Sequence, residues 1–173
     1  MLRLQVAPVL LVRTDVENGY RRVALASDFS EASEQAARLA LKLVPEAVQL
    51  LVHANEPPFD STLAFVGVSQ QVVDDYRRQA AQMAMRELEE FVARLGEPGA
   101  RILPALRDGR PASVLPAFVA EADIDLLVVG AEGRSPLSAH LLGSTSRHAA
   151  AGLACDVLVV PRKRRDACGE LPE

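Results

Sequence analysis

Apolar positions along this chain follow two alternating patterns. Short, mostly aliphatic runs recur at Val9–Val12, Arg22–Ser27, Val48–Ala54, Arg101–Leu106, Leu126–Val129 and Asp156–Val160. Their length and β-branched content predict strands buried on both faces. Between them lie stretches with helical periodicity. Ala36, Leu39, Ala40 and Leu43 fall on one face of a helix that starts after Ser30, a good N-cap, and stops at Pro45. Val73, Tyr76, Ala80, Met83, Ala84, Leu88, Phe91 and Leu95 do the same along a long helix capped by Ser69 and closed by Gly96. Gly109 and Pro111 open a third, to about Ala122, with a kink expected at Pro116. Arg147–Leu153 reads as a fourth.

Strands alternating with helices predict an α/β fold, a parallel sheet with helices on both faces. Pro104 cannot donate to a ladder, so Arg101–Leu106 is expected at an edge. Residues 55–68 hold Pro57, Pro58 and Gly67 and read as a long loop, of the length that often carries function. Hydrophobic residues make up 49% of the chain and aromatics 4%, so the core is aliphatic and rich in alanine. A length of 173 residues suits one such core. The net charge of −4 argues against a general nucleic-acid binder. No apolar run approaches the ~20 residues that span a bilayer. Cys155 and Cys168 form neither a disulfide framework nor a metal spacing, which favours a reduced, cytoplasmic setting. The start MLRLQVAPVLLV is interrupted by Gln5 and Pro8 and lacks a cleavage site, so it is not read as a signal peptide. His140 and His148 have no nucleophile at a supporting spacing, and no catalytic set or metal cluster stands out.

The most informative stretch is DLLVVGAEGRSPLSAHLLGSTS, Asp125 to Ser146. A buried-strand run ends at Val129, Gly130 and Gly133 follow, and Gly143 precedes Ser144, Thr145 and Ser146 at a helix start. Glycines allow close backbone approach, and a helix N-terminus with hydroxyls suits a phosphate. The spacing Gly-x2-Gly-x9-Gly-Ser is neither the P-loop nor the dinucleotide fingerprint. It resembles the ATP-binding signature of the universal stress protein family, over roughly Tyr20 to Pro161. The resemblance implies a three-layer sandwich around a doubly wound, mostly parallel five-stranded sheet, Rossmann-like, of order 3-2-1-4-5 counted from Arg22. It implies ATP, accompanied by Mg²⁺, as ligand, and a homodimer paired through edge strands, at Asp156–Val160 and also at Val9–Val12. Carried over by position, the nucleotide-binding residues are Ala26, Ser27, Asp28, Ala54, Val129, Gly130, Gly133, Arg134, Gly143, Ser144, Thr145 and Ser146. Asp28 is the ribose contact, with helix-start capping as the plainer alternative. His53 is read as filling space or bonding backbone. Glu132 departs from the family pattern, and its charge near phosphates keeps open an interaction module without ATP. Slow ATP hydrolysis is a third reading, without an identifiable base.

Domain organisation follows: residues 1–19 as a strand and linker, 20–162 as the family domain, 163–173 as a charged tail. The N-terminal segment Ala7–Arg13 echoes Cys155–Pro161, with Val9, Leu10 and Val12 matching Val157, Leu158 and Val160. Chance similarity is one explanation; a remnant of a preceding domain, pairing near Asp156–Val160 in its own or a partner chain, is the other. Deletion of the residues before Asn18 should therefore change the oligomeric state. An unchanged mass in solution would count against that.

Overall fold

The computed structural model describes residues 7–14, 19–57, 69–131 and 153–162. Six strands, β1 (Val9–Leu11), β2 (Arg22–Ala26), β3 (Val48–Asn55), β4 (Leu103–Asp108), β5 (Leu126–Gly130) and β6 (Asp156–Val160), form one sheet in the order β1-β6-β5-β2-β3-β4. Counted from Arg22 this is 3-2-1-4-5, with the N-terminal strand added outside the last. All pairings are parallel except β1 with β6. The continuous apolar runs of β5 and β6 have their cause here, because both faces of the sheet are covered.

Along each central strand, alternate side chains enter different cores. Val23, Leu25, Leu51, Val128 and Leu158 pack beneath helices α1 (Glu31–Leu43) and α2 (Gln70–Leu95). Ala24, Val52, Leu127, Val129 and Val157 pack beneath α3 (Pro111–Glu121), on Val114, Leu115 and Phe118. Ala36, Ala37 and Ala40 let α1 lie close to the sheet, while Phe91 of α2 is the largest wholly enclosed side chain. Removing a ring of that size opens a cavity worth about 3–5 kcal/mol.

The helix ends follow local chemistry, with two departures from the pattern reading. Ser30 caps α1 as expected, its Oγ accepting from the Ser33 amide at 3.2 Å. Ser69 occupies the N-cap position of α2 but makes no capping bond through its side chain. Gly96 closes α2 with φ 77°, which a residue with a Cβ disfavours. A 3-10 turn at Glu97–Arg101 then shifts the next strand from the expected 101–106 to Leu103–Asp108. The turn closes through Gly99 N–H to Gly96 O at 2.8 Å and Ile102 N–H to Gly99 O at 2.9 Å. As Pro104 required, β4 lies at the sheet edge. The third helix runs on through Pro116.

The N-terminal strand pairs with β6 of its own chain, in the register Val9↔Val159, Leu10↔Leu158, Leu11↔Val157. This is the own-chain pairing weighed from the sequence, and it corrects one part of that reading: Asp156–Val160 is not an edge strand, because β6 lies between β5 and β1. A buried carboxylate holds the added strand in place. Asp156 is completely enclosed. Its Oδ1 accepts from the Arg13 amide at 2.7 Å, the Thr14 amide at 3.0 Å and Thr14 Oγ1 at 3.0 Å. Its Oδ2 accepts from the Tyr20 hydroxyl at 2.7 Å. Arg13 also donates through Nη1 to Leu153 O at 2.7 Å. Burial alone would raise the Asp156 pKa, but the bonds from Tyr20, Arg13 and Thr14 outweigh it and hold the group below the usual carboxylate range. Burial and donation to Asp156 push the Tyr20 phenol upward.

The sign of the pH effect follows. An unfolded aspartate takes up its proton near ~3.9, whereas folded Asp156 stays ionised to lower pH. Its contribution is present above ~3.9 and is lost as the pH falls through the folded value. Asp156→Asn should lower stability by about 2–4 kcal/mol at neutral pH and flatten the acid limb of urea midpoints measured from neutral pH downward. An unchanged acid slope would refute the role given to this carboxylate.

Candidate functional site

The reversal in strand order falls between β2 and β5, which pair as Val23↔Leu126, Ala24↔Leu127 and Leu25↔Val128. In sheets of this kind, ligands bind outside the carboxyl ends of the strands at such a reversal. Ala26 ends β2, and Ser27 and Asp28 follow it. Ala54 lies near the end of β3, with its side chain against the α3-side core, as has Ala26. Val129 and Gly130 end β5. Six of the predicted site residues thus meet at the carboxyl ends of three adjacent strands. Gly133, Arg134, Gly143, Ser144, Thr145 and Ser146, with Glu132, lie outside the described residues, as does the predicted helix Arg147–Leu153 except for its last residue.

The turn from β2 into α1 is tightly organised. The Ser27 amide donates to Val52 O at 3.0 Å, extending the β2–β3 ladder by one bond. Ser27 Oγ accepts from the Phe29 amide at 3.0 Å and lies 3.3 Å from Ser33 Oγ. Asp28 Oδ1 accepts from the Ser30 amide at 3.1 Å, an Asx turn just before the helix, while the cap itself is Ser30. Between them Phe29 takes a left-handed backbone conformation, φ 63°, uncommon for a bulky residue. Its ring stacks on the His53 imidazole with centroids 4.2 Å apart and meets Phe91 edge-on at 6.3 Å. His53 Nδ1 donates to Ser27 O at 2.8 Å. The expectation that His53 bonds backbone is met, but its backbone partner is a residue of the candidate site. Neither Phe29 nor Ser33 was singled out from the sequence. Nothing in the order Asp-Phe-Ser signals a left-handed phenylalanine.

Gly130 has a packing role distinct from ligand approach. A Cβ there would fall 2.9 Å from the Ala32 carbonyl carbon and 3.0 Å from the Ser33 amide nitrogen. The end of β5 therefore presses against the first turn of α1, and only hydrogen fits between them. That first turn carries Glu31 and Glu34, suited to the positive end of the helix dipole. Glu31 pairs with Arg162 at 2.6 Å, and Glu34 with Arg38 at 2.9 Å and Arg94 at 3.1 Å. Among the described residues no group of three or more His, Cys, Asp or Glu could hold a metal ion. Nor is any described helix long and apolar enough to cross a membrane.

Comparison with known proteins agrees with this architecture. The model of the universal stress protein family matches residues 19–161. A universal stress protein of Methanocaldococcus jannaschii is 26% identical over 157 residues, 87% of each chain. Universal stress protein E of Photorhabdus laumondii is 28% identical over 172 residues, which are 92% of this chain and 53% of that one. Among solved structures, a Methanocaldococcus jannaschii protein whose biochemical function was assigned from its structure has a TM-score of 0.67 at 21% identity, over 84% of this chain and 98% of that one. A universal stress protein in complex with cAMP has a TM-score of 0.56 at 26% identity, over 82% and 97%. An Arabidopsis thaliana family protein with AMP bound has a TM-score of 0.57 at 21% identity, over 83% and 92%. With its sheet order and a family match over most of its length, this chain belongs to the universal stress protein family.

Proposed function

We propose that this protein binds an adenine nucleotide, with ATP and its accompanying Mg²⁺ the first choice, and acts as a stress-response or signalling module. The observation that carries the reading is the meeting of Asp28 and Gly130 at the ends of paired strands β2 and β5. The nucleotides in the cAMP-bound and AMP-bound relatives support it. So does the donor set. Ala26, Ala54 and Gly130 are the small residues at these strand ends, and Ser27 and Asp28 stand beside them as polar groups. In this reading Asp28 takes the ribose hydroxyls, Ala26 and Ala54 leave room for the base, and Ser27 holds the turn. The phosphates belong to Gly133, Arg134 and the helix start at Gly143–Ser146. The first turn of α1 is a poor alternative for them, since Glu31 and Glu34 already supply negative charge there. Magnesium would be carried by the phosphates rather than by a protein cage.

The same proposal takes residues 20–162 as the nucleotide-binding domain and places the protein in the cytoplasm, where the buried free thiol of Cys155 stays reduced. Two copies pairing by strand addition would use the outer strand β1, since β6 is covered.

Titration of the full chain with ATP and Mg²⁺ by calorimetry should give saturable binding below millimolar ligand, abolished by Gly133→Val. No binding by the wild type at millimolar ATP, or equal binding by Gly133→Val, would overturn the reading. Gly130→Ala should behave differently from Gly133→Val. Its Cβ meets helix backbone, so it should lower the urea midpoint by an amount equivalent to about 1–3 kcal/mol with or without nucleotide.

A further inference from the structure

His53 lies outside the residues that the family signature assigns, yet it touches both chain neighbours of Asp28. On one side its Nδ1 is 2.8 Å from Ser27 O. A carbonyl oxygen only accepts, so Nδ1 carries the proton of this bond. On the other side its ring lies against Phe29, with centroids 4.2 Å apart and planes 30° from parallel. Phe29 is held in turn by Phe91, which is wholly buried in the α1–α2 core. Phe29 is also one of two non-glycine residues with positive φ among the described residues. A bulky side chain stays in that region only where its surroundings hold it. The stack with His53 and the edge contact with Phe91 supply that hold.

Asp28 sits between the two fixed points. Its Oδ1 accepts from the Ser30 amide at 3.1 Å, which ties the carboxylate to the same turn. From this we infer that His53 is a positioning residue: by bonding Ser27 O and stacking on Phe29 it sets the direction of the Asp28 carboxylate, and so controls discrimination for the ribose of the bound nucleotide. This inference rests on the nucleotide-binding reading for its ligand, but its geometric half can be tested without one.

The experiment compares ATP with 2′-deoxy-ATP on the full-length wild type, Asp28→Ala, His53→Ala and His53→Asn, and follows exchange of the Ser30 amide in each without nucleotide. Wild type should prefer ATP. His53→Ala should weaken ATP binding by about tenfold, the loss expected when one charge-assisted hydrogen bond is misplaced, and should erase the preference. The double variant with Asp28→Ala should lose no more than Asp28→Ala alone. His53→Asn, which keeps an N–H near the place of Nδ1, should recover the preference. Exchange at Ser30 should quicken in His53→Ala and return toward wild type in His53→Asn. If His53→Ala does not fold, His53→Asn against Asp28→Ala decides the same comparison. Unchanged discrimination and unchanged Ser30 exchange in His53→Ala overturn the inference. So does failure of asparagine to recover what alanine loses, because the bond to Ser27 O would then have no part in setting the carboxylate. Absence of any ATP binding by the wild type sinks the nucleotide reading instead, and Ser30 exchange alone then decides whether His53 orients the turn.

Discussion

Everything near the crevice depends on β2 being flanked by parallel partners on both sides. Its amides and carbonyls bond to β3 in one direction and β5 in the other. Parallel strands need crossovers, and crossovers put helices on the faces. The strand order reverses between β2 and β5, and in sheets of this kind ligands sit at the carboxyl ends of strands at such a reversal. Asp28 follows the end of β2, where the Ser27 amide still bonds to Val52 O, and its own carboxylate fastens it to the turn through the Ser30 amide.

The first turn of α1 adds a second constraint. It lies so close to the end of β5 that only glycine fits at 130. Hydroxyls of Ser27, Ser30 and Ser33 fill the space where the helix begins, bonding to one another and to nearby backbone. With no large side chain in this turn except Phe29, which folds back onto the core, the strand-to-helix connection stays thin.

The fold was readable where the physics is local. Aliphatic runs and helical spacing report burial, and burial by two layers of helices is the same event seen from the chain. The glycine at 130 was readable as an interruption, though its reason was not: that lies in the backbone of Ala32, which no window around residue 130 contains. The beginning of β4 was misplaced because Gly96 and Gly99 allow one more turn of 3-10 helix before the strand. The bond from His53 to Ser27 was half legible, since a histidine at a strand end bonds something. Its partner depended on the β2–β3 register, which pairs Val52 with Ala26. In the sequence Asp156 reads as an ordinary strand residue at the head of DVLVV. Its donors at Arg13, Thr14 and Tyr20 are separated from it by most of the chain, and polar contacts at that range leave no periodic trace.

The clasp at Asp156 also bears on how the molecule is made. Arg13 and its acceptor are 143 residues apart. Pairing β1 with β6 therefore closes a long loop, which is among the slower steps of folding. On the ribosome, Val9–Leu11 must wait, aliphatic and without this ladder, until Asp156–Val160 has emerged. Such a segment is a natural client for chaperones during that interval, and its docking must follow the emergence of β6.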